Sequence, residues 1–477
     1  MVVVNQDNIR NIILSFFCST IVYFLGYEPY GNAPQLLAAI SSLVVFYTFF
    51  EIVFSKNMKF IYLGVFLTLN WVYFQSPFLL EEKTYYFTRT IDEADIPEIS
   101  IYCCFSIFLI YIGYHFFFNR ISALSSPELK FEESTFVKLI LVFLAFGLFD
   151  SLGSRLFPSI MGPLSNLVQV FFYSYTIAFG LYTILLLRTK TKFIFSFFNI
   201  LVISLFLLEF VLRISSTMFV RTSFLFIGIF MAYFYETRRI PVVFLIVSLV
   251  ILIPFYQART YFRILDRVQE ESFASKGHSS NLERGQDFIS KIYSSEGDEV
   301  LDKLEQSQAK RQKFQSNRFE NLSFIGHVVY VHKIGMKDFL YGETFYWLPF
   351  TPIPRIIWKN KPLNLMSSTF ASEYGLRGKE SGSTSINFPM LVEAYVNFGY
   401  PGMLFMAFFF GVLLKWFAMK FGIGIGDLNL IIMLNAVKQF THAEGNITLV
   451  FGALLQVFIF WFVLLKIFRI NKSITTL

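Results

Sequence analysis

The sequence predicts an all-α, polytopic membrane protein with about twelve transmembrane helices and one large external loop region. Three observations carry that expectation. First, 55% of the 477 residues are hydrophobic and only 15% are charged, against about 25% charged in soluble domains. Second, apolar runs of about 20 residues, the length that crosses a bilayer as a helix, recur along most of the chain. Third, those runs are continuous rather than alternating, which fits helices and excludes a closed barrel.

The runs fall at roughly 10–27, 33–54, 60–78, 98–118, 135–153, 165–187, 193–212, 218–236, 240–257, 402–419, 428–441 and 447–466. Helices 1–9 therefore occupy 1–257. A large loop region fills 258–401, and helices 10–12 with a basic tail fill 402–477. Orientation follows from lysine and arginine in the short connections. With the N-terminus inside, Lys56 and Lys59, Arg120 and Lys130, Arg188, Lys190 and Lys192, Arg238 and Arg239, and Lys415 and Lys420 all fall on the cytoplasmic side. Lys466, Arg469 and Lys472 in the tail agree, and the outer loop 79–97 is net acidic. Both termini are expected inside and the large loop outside. The first run lacks a small-residue cleavage site, so it reads as a span rather than a cleaved signal.

The loop region changes character along its length. Residues 300–322 are polar with apolar residues at helical spacing, which reads as an amphipathic helix. Residues 321–401 hold Trp347, Trp358, many Tyr and Phe, and the prolines of LPFTPIPRIIWKNKP.

Several chemistries find no support. The net charge of +7 is distributed as membrane topology requires, not as a nucleic-acid footprint. Cys18, Cys103 and Cys104 sit inside apolar runs and make no disulfide or metal pattern. There is no P-loop, HExxH, GxSxG or CxxC, and GIGIGD at 422–427 is a turn in a short connection. No metal site and no cofactor are expected.

What remains is arginine on the outer side. Arg213 and Arg221 flank a very short turn between two spans, while Arg259, Arg263 and Arg267 follow the ninth span at helical spacing. Arg355 lies in the proline-rigid PIPRIIWKNKP. Outward arginines run against the inside bias, and the guanidinium fork matches phosphate. Snorkelling to lipid headgroups is the plain alternative. A lipid pyrophosphate fits these cations, and nearby aromatic rings suit sugar faces. A lone acid, Glu393, stands in NFPMLVEAYVNFGYPG. Pro389, Glu393 and Asn397 at i, i+4 and i+8 share one face of a short helix that Gly399 ends.

GMKDFLYGETFYWLPFTPIPRIIWKNKP followed by INFPMLVEAYVNFGYPGM resembles the signature of Wzy-type O-antigen and exopolysaccharide polymerases. The residues carrying the likeness are Gly342, Pro354, Arg355, Trp358, Lys361, Pro362, Glu393, Tyr395, Asn397, Phe398, Gly399 and Gly402. Lys359 stands where that pattern commonly has proline. The resemblance implies a GT-C-like fold related to the O-antigen ligases. It implies a metal-independent glycosyltransferase of the bacterial inner membrane. Such an enzyme moves a growing glycan from undecaprenyl pyrophosphate onto a new lipid-linked repeat unit. A chain-length regulator protein is a further implied partner, beside the bilayer itself. Expected roles are Arg221 and Arg355 at the leaving pyrophosphate, with Arg213 in support and Arg259 binding substrate. Glu393 is the first candidate for base or acceptor hydrogen-bonding group, and His442 with Glu444 in FTHAEGN the second. Trp358, Lys361, Tyr395 and Asn397 are expected to bind substrate. A ligase acting on another acceptor and a flippase for lipid-linked sugars are the competing readings.

Overall fold

The computed structural model describes residues 6–26, 32–56, 58–79, 95–116, 131–156, 174–189, 197–215, 219–252, 322–346, 348–351, 353, 358, 373–374, 388–420, 427–440 and 445–475. Every described element is helical. The helices are α1 (Gln6–Leu25), α2 (Asn32–Val53), α3 (Ile61–Phe74), α4 (Ile96–Phe116), α5 (Glu133–Leu156) and α6 (Ser174–Thr189). Then follow α7 (Phe197–Ser215), α8 (Phe219–Thr237) and α9 (Val242–Leu252). The last four are α10 (Leu322–Lys333), α11 (Met390–Lys420), α12 (Asp427–Phe440) and α13 (Ile447–Thr475). A helix lies in each of the twelve apolar runs, and α10 is an additional one. The amphipathic helix expected over 300–322 falls, up to residue 321, outside the described residues.

Among the described residues α1, α2, α4 and α11 are long and apolar enough to cross a membrane, and α3, α9 and the apolar stretches of α7, α12 and α13 are shorter. Proline marks several starts: Pro34 and Pro97 sit in the first turns of α2 and α4, and Pro241 and Pro389 directly precede α9 and α11. There the missing N–H is one the helix would leave unpaired anyway.

The chain divides into two compact units, residues 1–129 with 313–477, and residues 130–312. In the first, α11 lies along α4 and also touches α3. The α4–α11 contact is a backbone approach. A Cβ on Gly113 would stand 2.1 Å from the Phe408 carbonyl oxygen, and one on Gly411 would stand 2.1 Å from that of Ile110. Small residues at reciprocal positions let two apolar helices reach this separation. Phe66 stacks on Phe410 at 5.7 Å and Tyr62 meets Phe417 edge-on at 5.6 Å, which seats α3 beside them. Between α1 and α2 the links are polar: Asn11 donates to Glu51 at 2.9 Å and Ser42 to Ser19 at 2.8 Å.

In the second unit α6 packs against α5 and α8, and α7 against α8. Gly228 of α8 admits the Thr176 backbone, since a Cβ there would lie 2.6 Å from its oxygen. Arg188 grips Glu236 through two bonds of 3.0 and 2.8 Å, with its guanidinium 5.2 Å over the Phe136 ring.

Candidate functional site

Helix α11 is broken near its start. Its 31 residues contain Phe398 at φ −140°, ψ 16° and Gly399 at φ 65°, ψ −158°. That glycine conformation is closed to residues with a side chain. At 1.5 Å per residue an unbroken helix would run about 46 Å, well past the ~30 Å of a hydrocarbon core. The stretch after the break is long enough for a crossing by itself. The stretch before it, 390–397, carries Glu393, Tyr395 and Asn397 and lies outside that span-length segment.

A broken helix leaves carbonyls without their own N–H partners. Here a distant segment supplies them. Leu340 N–H donates to the Val396 carbonyl at 3.1 Å and Tyr341 N–H to the Asn397 carbonyl at 3.0 Å. The third consecutive N–H, of Gly342, reaches the Asn397 side-chain oxygen at 2.9 Å. The Asn397 amide donates in turn to the Thr344 hydroxyl at 2.7 Å and to the Glu393 carbonyl at 2.8 Å. Asn397 is fully buried and completes both ends of its side chain. Gly342, at φ 94°, makes the turn possible, and a Cβ on it would press to 3.2 Å from the Phe398 ring.

Glu393 closes the arrangement from the other side. Its Oε2 accepts the Ile447 N–H at 2.6 Å. Ile447 opens α13, and the Leu449 N–H two residues further on is capped by Asn446 Oδ1 at 2.8 Å. A carboxylate at a helix N-terminus meets both unpaired donors and the positive end of the dipole. Yet the carboxyl is only 2% exposed, and burial pushes its pKa from 4.5 up to about 7. The Ile447 N–H and the nearby Thr344 hydroxyl pull the other way. Thr344 favours the charge by proximity without meeting full hydrogen-bond geometry, and Oε1 has no hydrogen-bond partner among the described residues.

Glu393 and Asn397 thus bind three segments that are remote in sequence: 340–344, 393–397 and 446–449. Tyr395, expected to bind substrate, points into an aromatic core and is 6% exposed. It meets Tyr400 at 4.9 Å, Phe339 at 6.0 Å and His332 at 5.9 Å. His332 bonds the Tyr374 hydroxyl at 2.9 Å and His327 the Tyr374 carbonyl at 2.6 Å. Burial lowers the pKa of both histidines. Lys333 reaches Asp95, just before α4, at 2.6 Å. Trp358 is partly exposed and stands edge-on to Phe350 at 6.0 Å.

Arg259, Arg263, Arg267, Arg355, Lys361, His442 and Glu444 lie outside the described residues. Arg213 falls in the last turn of α7 and Arg221 in the first turn of α8, and their side chains are likewise outside the description. Thr344, Tyr341 and His332 take part in the arrangement without having been singled out by sequence. Gly342 was the available signal, since glycine readily takes the positive φ that a tight turn needs. Among the described residues no three His, Cys, Asp or Glu side chains gather as a metal site.

Among the described residues every element is helical, and several helices are long and apolar enough to cross a membrane. No family model, curated protein or solved structure matches the chain.

Proposed function

We propose that this protein is a membrane glycan polymerase. It transfers a growing glycan from a lipid pyrophosphate carrier onto a new lipid-linked repeat unit, on the outer face of a bacterial inner membrane. In this reading all twelve apolar helices span, both termini are cytoplasmic and 258–401 is periplasmic. The observation that carries it is the union of the motif blocks: Gly342 and Asn397, 55 residues apart, share a 2.9 Å hydrogen bond. Gly342, Glu393 and Asn397, three of the residues that resemble a polymerase signature, are joined there by hydrogen bonds, which supports the reading.

The chemistry is a displacement at the anomeric carbon. The bond from that carbon to the pyrophosphate oxygen breaks, and one to the acceptor hydroxyl forms. Charge grows on the departing pyrophosphate, which fixed cations stabilise more in the transition state than before it. Arg355 and Arg221 take that role on the sequence argument, with Arg213 in support and Arg259 binding substrate. The acceptor proton goes to a base within hydrogen-bonding reach. Glu393, at 2% exposure and bonded to Ile447, acts by positioning. It anchors the far end of the loop that carries His442 and Glu444, which leaves His442 as the proton acceptor.

Purified protein in lipid nanodiscs, given lipid-linked repeat units, is expected to produce a ladder on a gel. Unchanged single units would overturn the proposal. Translocation without a ladder would mark a flippase, and transfer only to a different acceptor a ligase. Arg355→Ala is expected to abolish the ladder while the protein stays in the membrane.

A further inference from the structure

Three non-glycine residues among those described have positive φ: Lys56 at 53°, Arg238 at 54° and Tyr341 at 46°. Lys56 and Arg238 lie just after α2 and α8, where a left-handed residue commonly ends a helix. Tyr341 follows no helix, and a bulky aromatic residue in that region is an outlier. Such strain persists only where surrounding structure over-determines it. Here the three consecutive bonds from residues 340, 341 and 342 hold it.

The strained backbone presents an aromatic ring to solvent. Tyr341 is 77% exposed and Tyr346, at the far side of the 3₁₀ turn Glu343–Phe345, is 67% exposed. Glu343, between them in sequence, is exposed as well, and the Tyr346 ring stands 6.4 Å from that of Phe350. Phe398, whose ring lies under Gly342, is also open to solvent.

We propose that Tyr341 and Tyr346 form a stacking platform for a sugar ring, with the Glu343 carboxylate accepting hydrogen bonds from its hydroxyls. This deepens the polymerase reading and rests on it. Tyrosine offers a flat apolar face for the C–H side of a sugar and a hydroxyl for its rim. The carboxylate decides between a polyol and a lipid surface. It welcomes hydroxyl donors, whereas it repels headgroup phosphates and is costly in hydrocarbon. The ligand class is therefore a neutral or cationic sugar of the lipid-linked repeat unit.

The test uses the full chain in nanodiscs with lipid-linked repeat units, and reads KM and kcat for chain growth. Tyr341→Gly removes the ring and relieves the strain, because glycine adopts positive φ freely. Its melting temperature is expected to be equal or higher, with KM raised roughly tenfold, as suits the loss of one aromatic contact, and kcat nearly unchanged. Tyr341→Trp is expected to restore KM. Tyr341→Asn, which also tolerates this backbone, and Tyr346→Ala are expected to raise KM in the same way. The repeat-unit oligosaccharide cut from its lipid serves as a competitor and is expected to weaken in parallel. A competitor of unchanged potency while the lipid-linked form weakens would assign the rings to the bilayer and overturn the platform. So would an unchanged KM in Tyr341→Gly, Tyr341→Asn and Tyr346→Ala. If the wild-type protein makes no ladder, the polymerase reading falls and the platform with it. A wild-type ladder with indifferent variants removes the platform alone.

Discussion

Two junctions in the same unit use opposite means to hold α11. After the break, Gly411 of α11 and Gly113 of α4 bring two helices into backbone contact, and no side-chain hydrogen bond is needed there. Before the break, Asn397 and Glu393 hold two remote segments through polar groups that are themselves buried. The difference follows from what each stretch must satisfy. A continuous helix pairs its own backbone, so only shape is left to optimise. A broken one exposes carbonyls that cost about 1–3 kcal/mol each if left unpaired in a dry place, so partners must be brought in.

The hardest way to break that comparison is to fill the glycine contact. Gly411→Leu or Gly113→Val is expected to abolish the folded protein, beyond the about 1–3 kcal/mol of ordinary overpacking. The obstacle is main chain, which cannot rotate aside. Loss of monodisperse protein on detergent extraction would show it, and a normal elution profile would refute it.

Next comes Asn397→Leu, similar in volume and unable to bond. It strands the Gly342 N–H and the Thr344 hydroxyl, and about 2–4 kcal/mol of stability is expected to go. The measurement is the thermal transition of the detergent-solubilised variant. A shift as small as that of an exposed substitution would mean that 340–344 is held by packing alone.

Glu393 sharpens the comparison through pH. Its folded pKa is raised from 4.5 to about 7, so between those values the folded state binds the proton that the unfolded state has released. Stability is then greatest at low pH on this account and falls as pH rises through that window. At 1.36 kcal/mol per pH unit the span is about 3 kcal/mol at most. Glu393→Gln keeps an acceptor for Ile447 and is expected to flatten the slope. An identical pH profile in both proteins would remove the carboxyl from the balance. Because the amide oxygen of the glutamine variant would still hold the Ile447 N–H, chain growth is expected to survive in Glu393→Gln and to fail in Glu393→Ala.

The smallest effect belongs to Lys333→Met. The lysine side chain is 52% exposed and screened by water, although that of Asp95 is only 9% exposed, so a loss of about 1 kcal/mol is expected, at the upper end for exposed pairs. A loss several times larger would place the Asp95 link on a par with the Asn397 bonds.

The punctuation of α11 was readable in advance. Pro389 opens it, Gly399 interrupts it and Glu393 and Asn397 share a face, because helical spacing is a local property. Even there the contact has a form that spacing does not specify, since the Asn397 amide reaches the Glu393 carbonyl and not its carboxylate. The remote partners were not readable. Nothing in NFPMLVEAYVNFGYPG points to Ile447, 54 residues away, nor to Thr344. Any N–H can serve an acceptor, and which one does depends on how the helices are packed.

Composition and run length alone decide that this chain is helical and rich in segments suited to a membrane. Continuous apolar stretches leave the backbone no other way to pair itself. Proline and glycine decide where helices start and break, because their constraints act within one or two residues. Packing decides the rest. It turns a lone acid into the cap of α13, a pair of glycines into the seat of one helix on another, and an ordinary tyrosine into a strained, exposed ring. Each of those outcomes needs two segments far apart in the chain to arrive at one place, and no local preference encodes that meeting.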